Sequence, residues 1–564
     1  MPSSLQIAQD ATLRPIVDIA SDLGLLPDEI ELYGRFKAKI RLEVLGRLSD
    51  RPNGKEIIVT AVTPTPLGEG KTTTTIGLAQ GLNRLGVRAA VAIRQPSLGP
   101  VFGIKGGGAG GGYSQVLPME DINLHFTGDI HAVTAAHDLG AAFLDNHLLR
   151  GNQRGIDLAT IRWPRVLDLN DRILRHVRLG IGEAAELQRE GEFHITAASE
   201  VMAVLALATD LQDLRRRIGR IIVAETRDGI AVTMEELKVA GAMTVLLRDA
   251  IKPNLVQTTE GGPAFVHAGP FANIAHGNSS VVADRVALKL NEAVCTEGGF
   301  ASDMGLQKFM DIKCRLSGLR PSAAVIVATI RALKMHGGVG KVVAGQPLDP
   351  VLLKEDPEAV RRGAENLAQH LAIVANYGVP AVVAINTFPT DHKSEFQAAR
   401  EAALAAGAED VVVSRHFSDG GEGALDLARA VWAAAQKGAP DFRFLSRDGA
   451  SLREQVEDIA TRVYGADGVD LAPQAEASLD AIERLGYDSV PVCMAKTQSS
   501  LTHDPALKGR PRGWRLPIRD ARLFAGAGFV TAYCGSMMTM PGLPTHPAGE
   551  DVDIDADGRI VGLF

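Results

Sequence analysis

Residues 57–75 read IIVTAVTPTPLGEGKTTTT, and the helical stretch IGLAQGL follows at once. An apolar run, a glycine-bearing loop and a helix opening at Lys71 make a strand–loop–helix unit. Such a unit holds the phosphates of a nucleotide. Glycine lets backbone N–H groups turn toward an anion, and the helix N-terminus adds a favourable dipole. The pattern G-x-x-x-x-G-K-[ST] assigns Lys71 to the β/γ-phosphates and the Thr72 hydroxyl to Mg²⁺. Thr65 stands where that pattern begins with glycine. The expected ATP-binding segment is Thr65, Pro66, Leu67, Gly68, Glu69, Gly70, Lys71 and Thr72.

Working outward, 564 residues exceed one compact core and suggest about three to four domains. A net charge of −8 argues against a nucleic-acid binder relying on global charge. The cluster Arg215, Arg216, Arg217 and Arg220 reads as a solvated helix face. Cys295, Cys314, Cys493 and Cys534 lie far apart without C-x-x-C spacing, so they suggest neither a zinc site nor a redox pair. The N-terminal residues lack a signal-peptide pattern, and no apolar stretch reaches 18 residues. The expectation is a cytoplasmic enzyme without a membrane partner.

Short apolar runs at 56–62, 89–93, 325–329, 381–385 and 411–413 read as buried parallel strands. Helical periodicity over 358–376, stopped by Gly378, and over 394–406, closed by Gly407, fills gaps between them. The fold class is therefore α/β: a P-loop NTPase-like, mostly parallel sheet flanked by helices, with additional smaller α/β domains. Expected divisions are 1–150 with about 290–345, then 151–289, then 346–564. Ligands of such sheets gather at the carboxyl ends of strands. There the sequence places the phosphate loop, Arg94 with Gln95, Arg331 with Lys334 and His336, and Asn386 with Asp391.

Residues 103–113, GIKGGGAGGGY, hold seven glycines in eleven positions. Apolar flanks and the nearby Lys105, Tyr113, Asp121, His125 and Asp129 favour a functional loop over a linker. A loop stripped of side chains lets backbone approach a ligand closely. The acidic tail around D-A-D-G lacks an EF-hand's ligand set and reads as a solvated turn.

Together TPTPLGEGKTTT, RQPSLGP, GIKGGGAGGGY, VATIRALKMHGG, AINTFPTD and MTMPGLP resemble the formate–tetrahydrofolate ligases, from about residue 20 to the end. The resemblance implies that MgATP phosphorylates formate and that tetrahydrofolate takes the formyl group from formyl phosphate. Lys71 and Arg94 would be the catalytic cations. Phe300 and Phe417 would sandwich the pterin, with Phe388 and Pro389 beside it. Gln95, Lys105, Gly106, Gly107, Tyr113, Asp129, Arg331 and Lys334 would complete the site loops. A homotetramer is implied as well.

Departures from the family pattern carry expectations of their own. Phe417 replaces the usual Trp, Gly108 an Ala and Ser499 a Tyr. Gln95 replaces a Glu that, with the position of Asp129, is associated with a monovalent cation, so K⁺ or NH₄⁺ dependence is in question. The competing interpretation is a P-loop switch ATPase of the partitioning or metal-insertion type. Those proteins are about half this length, lack the glycine-rich stretch and carry an early Lys where Pro66 stands. An inactive scaffold would need a lost catalytic residue, and Lys71 and Arg94 are both present.

Overall fold

The computed structural model describes residues 1–104, 107–182, 185–343, 347–535 and 537–563. Ten strands form the spine of one large sheet: β1 (Ile30–Leu32), β2 (Ala38–Ile40), β3 (Lys55–Ala61), β4 (Ala89–Ile93), β5 (Asn254–Thr258), β6 (Pro263–Val266), β7 (Ala293–Glu297), β8 (Ala323–Thr329), β9 (Ala381–Asn386) and β10 (Asp410–Ser414). Their spatial order is β1-β2-β5-β6-β4-β7-β3-β8-β9-β10. Every neighbour from β6 through β10 is parallel, and the β1-β2-β5-β6 end is antiparallel. A two-residue strand, Gly110–Gly111, pairs with Ser114–Leu117, which joins β5. Strands from all three expected sequence segments enter this sheet.

The five strands read from the sequence are present, with ends moved by one or two residues. Missed were β1, β2, β5, β6 and β7, whose apolar runs are short or interrupted. The central parallel strands are buried on both faces, so the polar/apolar alternation of a half-buried sheet is absent there, whereas the edge strand β10 is partly exposed. In β8 all seven residues are buried, and in β9 all six. Ile58, Ile326 and Val383 point to one face, where Val360, Leu367, Leu371 and Val374 of the helix Pro357–Asn376 cover them. Ile57, Val59, Val325, Val327 and Val382 point to the other, under Ile76, Leu78 and Leu82 of the helix Lys71–Arg84 and Leu427 and Val431 of the helix Leu425–Lys437. Truncating one such Ile to Ala costs about 2–5 kcal/mol.

Helix ends follow local chemistry. Asp356 caps Pro357–Asn376 by accepting from Ala359 N at 2.8 Å, and Pro357 sits where no N–H is needed. The helix Lys393–Ala405 begins with Glu395 reaching back to His392 N at 3.0 Å. The same carboxylate accepts from Asp356 N at 2.9 Å, so it stitches the two helix starts together. Gly378 and Gly407 end these helices in left-handed backbone, as the sequence predicts.

A second core gathers around the helices Asp129–Leu149, Glu200–Leu207, Leu211–Arg220 and Ala240–Leu246. A three-stranded sheet of Val492–Ala495, Phe529–Tyr533 and Asp520–Phe524 lies in the C-terminal part. The arginine cluster is partly corrected. Arg217 is buried, pairs with Asp213 at 2.8 Å and donates to Ala527 O at 2.9 Å, so that helix face joins two parts of the chain. The four cysteines are free and buried. No helix among the described residues is long and apolar enough to cross a membrane. The tail is a turn in which Asp555 Oδ1 accepts from Asp557 N and Arg559 N.

Candidate active site

Six parallel strands end on one edge of the sheet, so the loops after them lie on the same side. Along this edge stand Arg94 after β4, Phe300 after β7, the phosphate loop after β3, Arg331 after β8, Phe388 after β9 and Phe417 after β10. Chain order separates these residues by more than 300 positions, and parallel pairing reunites them.

The phosphate loop is fixed at both ends. Thr63 N–H donates to His370 Nε2 at 2.8 Å and to Asn366 Oδ1 at 3.2 Å. Because a backbone N–H only donates, His370 Nε2 is the acceptor and its proton sits on Nδ1, 2.7 Å from Ser302 Oγ. His336 takes the opposite tautomer: Nε2 donates to Thr63 O at 2.8 Å, and Nδ1 accepts from Gly509 N at 3.1 Å. Burial pushes both imidazoles down to about 4, so both are neutral near pH 7. At the far end Asn386 Nδ2 donates to Glu69 O at 2.7 Å. Gly70 is left-handed (φ 77°), and a Cβ there would come within 2.8 Å of Asn386 Nδ2. Asn386 therefore braces the loop. Glu69 does likewise: buried, it accepts from Thr65 N at 2.7 Å and from the Thr329 hydroxyl. Leu67 packs against Met335, Val342 and Leu352, beside Pro66 on the loop.

Lys71 opens the helix, and its ammonium has no hydrogen-bond or ion-pair partner among the described residues. Burial pushes its pKa down, Glu297 and Glu69 pull it back up, and Arg94 lowers it further. Thr72 Oγ1 donates to Glu297 Oε2 at 2.7 Å, and Arg94 Nη2 lies 4.0 Å from Glu297 Oε1. Arg94 Nη1 donates to Pro270 O at 3.2 Å, and its buried Nε has no partner. Glu297 thus stands between the two candidate catalytic groups. Sequence reading missed it because the five-residue run AVCTE does not declare itself a strand. Gly299 lets this turn pass Arg94: a Cβ would come within 2.4 Å of Ala272 Cβ and 3.3 Å of Arg94 Nη2.

The aromatic candidates ring the same edge. Phe300 adopts a left-handed φ of 61°, uncommon for a residue with a side chain. Phe388 is 36% exposed, with the Arg331 guanidinium 3.2 Å from its ring centre. Pro389 is exposed beside it, in a turn where Asp391 Oδ2 accepts from Phe388 N at 2.8 Å. Phe417 is 47% exposed and lies over the glycine-rich stretch. Its carbonyl accepts from Tyr113 N at 2.9 Å, and a Cβ at Gly112 would meet that oxygen at 2.1 Å. Tyr113 is exposed; its carbonyl accepts from Gln80 Nε2 and Thr259 Oγ1. Gly107 passes close to Asn123, which accepts from Gly108 N at 2.9 Å. Lys105 and Gly106 fall outside the described residues.

Two expected site residues are engaged in the framework. Lys334 is buried, ion-paired to Glu395, and donates to Leu352 O at 2.9 Å and Lys354 O at 2.7 Å. Three partners saturate an ammonium, which leaves no donor for a ligand. Asp129 is buried with Oδ1 2.7 Å from Lys39 Nζ and Oδ2 accepting from Asn254 Nδ2 at 2.7 Å. Gln95 is buried beside the Ala268 carbonyl, its Oε1 unpartnered. A neutral amide and a carboxylate already paired with an internal ammonium do not fit a monovalent-cation site. For Mg²⁺ the oxygen donors fit: the Thr72 hydroxyl and Glu297 carboxylate adjoin the phosphate loop.

Sequence comparison now meets this geometry. Residues 2–564 match the family described as Formate–tetrahydrofolate ligase. Curated relatives bearing that name include one from Saccharopolyspora erythraea, 58% identical, and one from Roseiflexus castenholzii, 59% identical. Another, from Desulforamulus reducens, is 56% identical; each alignment covers 100% of both chains.

Proposed function

The chain belongs to the formate–tetrahydrofolate ligase family, and we propose that it joins formate to tetrahydrofolate with ATP, through formyl phosphate. The observation that carries this reading is the pair of under-partnered cations, Lys71 and Arg94, flanking Glu297 on the ligand-binding edge of the sheet. Paired cations serve structure; cations left free beside a phosphate loop serve an incoming anion.

In the first step a formate oxygen attacks the γ-phosphorus of ATP, and ADP departs. Phosphoryl transfer asks mainly for alignment and charge neutralisation. The backbone of 65–70 and the N-terminus of the helix Lys71–Arg84 cradle the phosphates, and Lys71 neutralises the transferring group. Thr72 and Glu297 would hold Mg²⁺, which offsets phosphate charge when bound. Arg94, with a planar fork that keeps its charge, grips formate and then the acyl phosphate. In the second step N10 of tetrahydrofolate adds to the formyl carbon, the amine loses its proton and phosphate leaves. Products are 10-formyltetrahydrofolate, ADP and phosphate. Phe300, Phe388, Pro389 and Phe417 offer flat apolar surface to the pterin. No step runs through a monovalent cation.

Nothing in the comparisons favours the switch-ATPase alternative. The deciding assay is product formation with each of ATP, formate and tetrahydrofolate omitted in turn. All three are expected to be required, and formate with ATP alone is expected to give one ADP per active centre. Product from any pair would overturn the scheme. The homotetramer belongs to the same reading, and sedimentation velocity tests it.

A further inference from the structure

A cavity of about 800 Å³ shares none of its lining with the catalytic edge. Its lining comes from segments within 158–194, the helix Pro473–Arg484, the strand Asp520–Phe524 and residues near Tyr533. Its size is that of an enclosed small-molecule site.

Five arginines from separate parts of the chain reach this one space: Arg162, Arg165, Arg189, Arg519 and Arg522. Guanidinium keeps its charge, so a gathering of five on one lining makes a strongly positive surface. Asp145 compensates two of them, pairing with Arg165 at 2.5 Å and with Arg189. Arg162, Arg519 and Arg522 have no carboxylate within ion-pair distance among the described residues. Arg522 instead donates to the Arg162 carbonyl, which brings two of the three together.

Acidic groups on the walls do not cancel the set. Glu192 is engaged by His194 at 2.8 Å, and Asp520 accepts from Ser478 Oγ at 2.6 Å. Glu190 is exposed at the surface. Among the described residues, counting Asp145 with these three, the five arginines still outnumber the four acids. Neutral donors add to the recognition surface: Gln474, Thr539 and the Tyr533 hydroxyl. Burial raises Tyr533 to about 12, so its phenol remains a donor across the neutral range. Converging arginine forks and hydroxyl donors are the equipment that recognises carboxylate or phosphate groups.

We propose that this cavity is a second binding site, separate from the catalytic edge, for a small organic anion carrying two or more carboxylate or phosphate groups. Two or more anionic groups are inferred because three guanidiniums of the lining, those of Arg162, Arg519 and Arg522, have no carboxylate partner among the described residues.

The test is calorimetric titration of the full chain at fixed ionic strength with citrate and, separately, pyrophosphate. Saturable one-site binding of at least one probe is expected, and the tighter of the two identifies the anion chemistry. In the double variant R162A/R519A affinity should fall about tenfold or more. Both side chains are exposed and unpaired, so the fold should hold, with the unfolding midpoint as check; R519Q is the milder substitute. In Lys71→Ala the affinity should be unchanged. No saturable heat with either probe, unchanged affinity in the double variant, or loss of binding in Lys71→Ala would each overturn the proposal. The last result would place the anion on the phosphate loop.

Discussion

Lys71 and Lys334 are two lysines near the same sheet edge, and they do opposite work. Lys71 begins a helix with an ammonium that meets no partner among the described residues. Lys334 lies at the end of a helix with its ammonium enclosed by Glu395, Leu352 O and Lys354 O. Residue type and strand-end position are alike, so neither separates the two. The number of partners does. A saturated buried cation is framework, whereas an unsaturated one beside left-handed glycines is left available to an anion, as the proposed function requires.

The comparison is most sharply broken at the catalytic edge. Arg94→Ser or Lys71→Ala should lower kcat/KM by about a thousandfold, as loss of a preorganised transition-state donor does. The unfolding midpoint should stay within about 2 °C of the parent for Lys71→Ala and fall somewhat further for Arg94→Ser, which loses a hydrogen bond to Pro270 O. Steady-state assay beside thermal unfolding reads both, and near-parental turnover would end the roles assigned here.

Lys334→Met should do the reverse. It strands the buried Glu395 carboxylate and should cost about 3–5 kcal/mol of stability. Turnover per folded molecule should change far less. A variant equally stable but inactive would show Lys334 to be site equipment after all.

His370 lies between these extremes, because it is framework that holds the loop. His370→Asn should cost about 1–3 kcal/mol by leaving Thr63 N and Ser302 short of partners. The pH dependence has a definite sign. The folded-state value is about 4, below that of a free imidazole, so the contribution is full above roughly pH 6.5 and fades as pH falls toward 4. The stability gap between parent and variant, measured by denaturant titration, should therefore shrink from pH 7 to pH 4.5. A gap that widened on acidification would reject the neutral tautomer.

Phe417 should show a smaller and more selective effect. Phe417→Ala should raise KM for tetrahydrofolate about tenfold while leaving KM for ATP within twofold, the scale of one stacking contact. Phe417→Trp should lower it. Equal effects on both substrates would detach Phe417 from the pterin. Smallest of all should be the response to monovalent cations. Replacing K⁺ by tetramethylammonium at constant ionic strength should change kcat by less than about twofold, since Asp129 is already paired with Lys39. A strong K⁺ requirement would show that this pair opens in the working enzyme.

Much of this molecule was legible in its sequence. Strands β3, β4, β8 and β9 announced themselves as apolar runs because parallel strands in mid-sheet are buried on both faces; the edge strand β10 showed only its short valine run. Strand β7 did not: Ala, Val and Cys make too short a signal between Asn291, Glu292 and Glu297. With it went Glu297, the carboxylate that links Thr72 to Arg94. His370 and Asn366 were equally hidden. They lie on the covered face of a helix whose periodicity reveals burial but not a loop more than 300 residues away.

The sequence by itself determined the α/β class, the loop that turns into a helix at Lys71, and the stop signals at Gly378 and Gly407. These depend on local backbone chemistry and short-range periodicity, which neighbouring residues carry in full. Only the tertiary structure decided which charges are free. Lys334 and Asp129 are saturated by Glu395, Lys39 and Asn254, while Lys71 and three arginines of the second cavity are not. A charge is compensated by whatever the fold brings within a few ångströms. Here those partners arrive from distant parts of the chain, where no local pattern can record them.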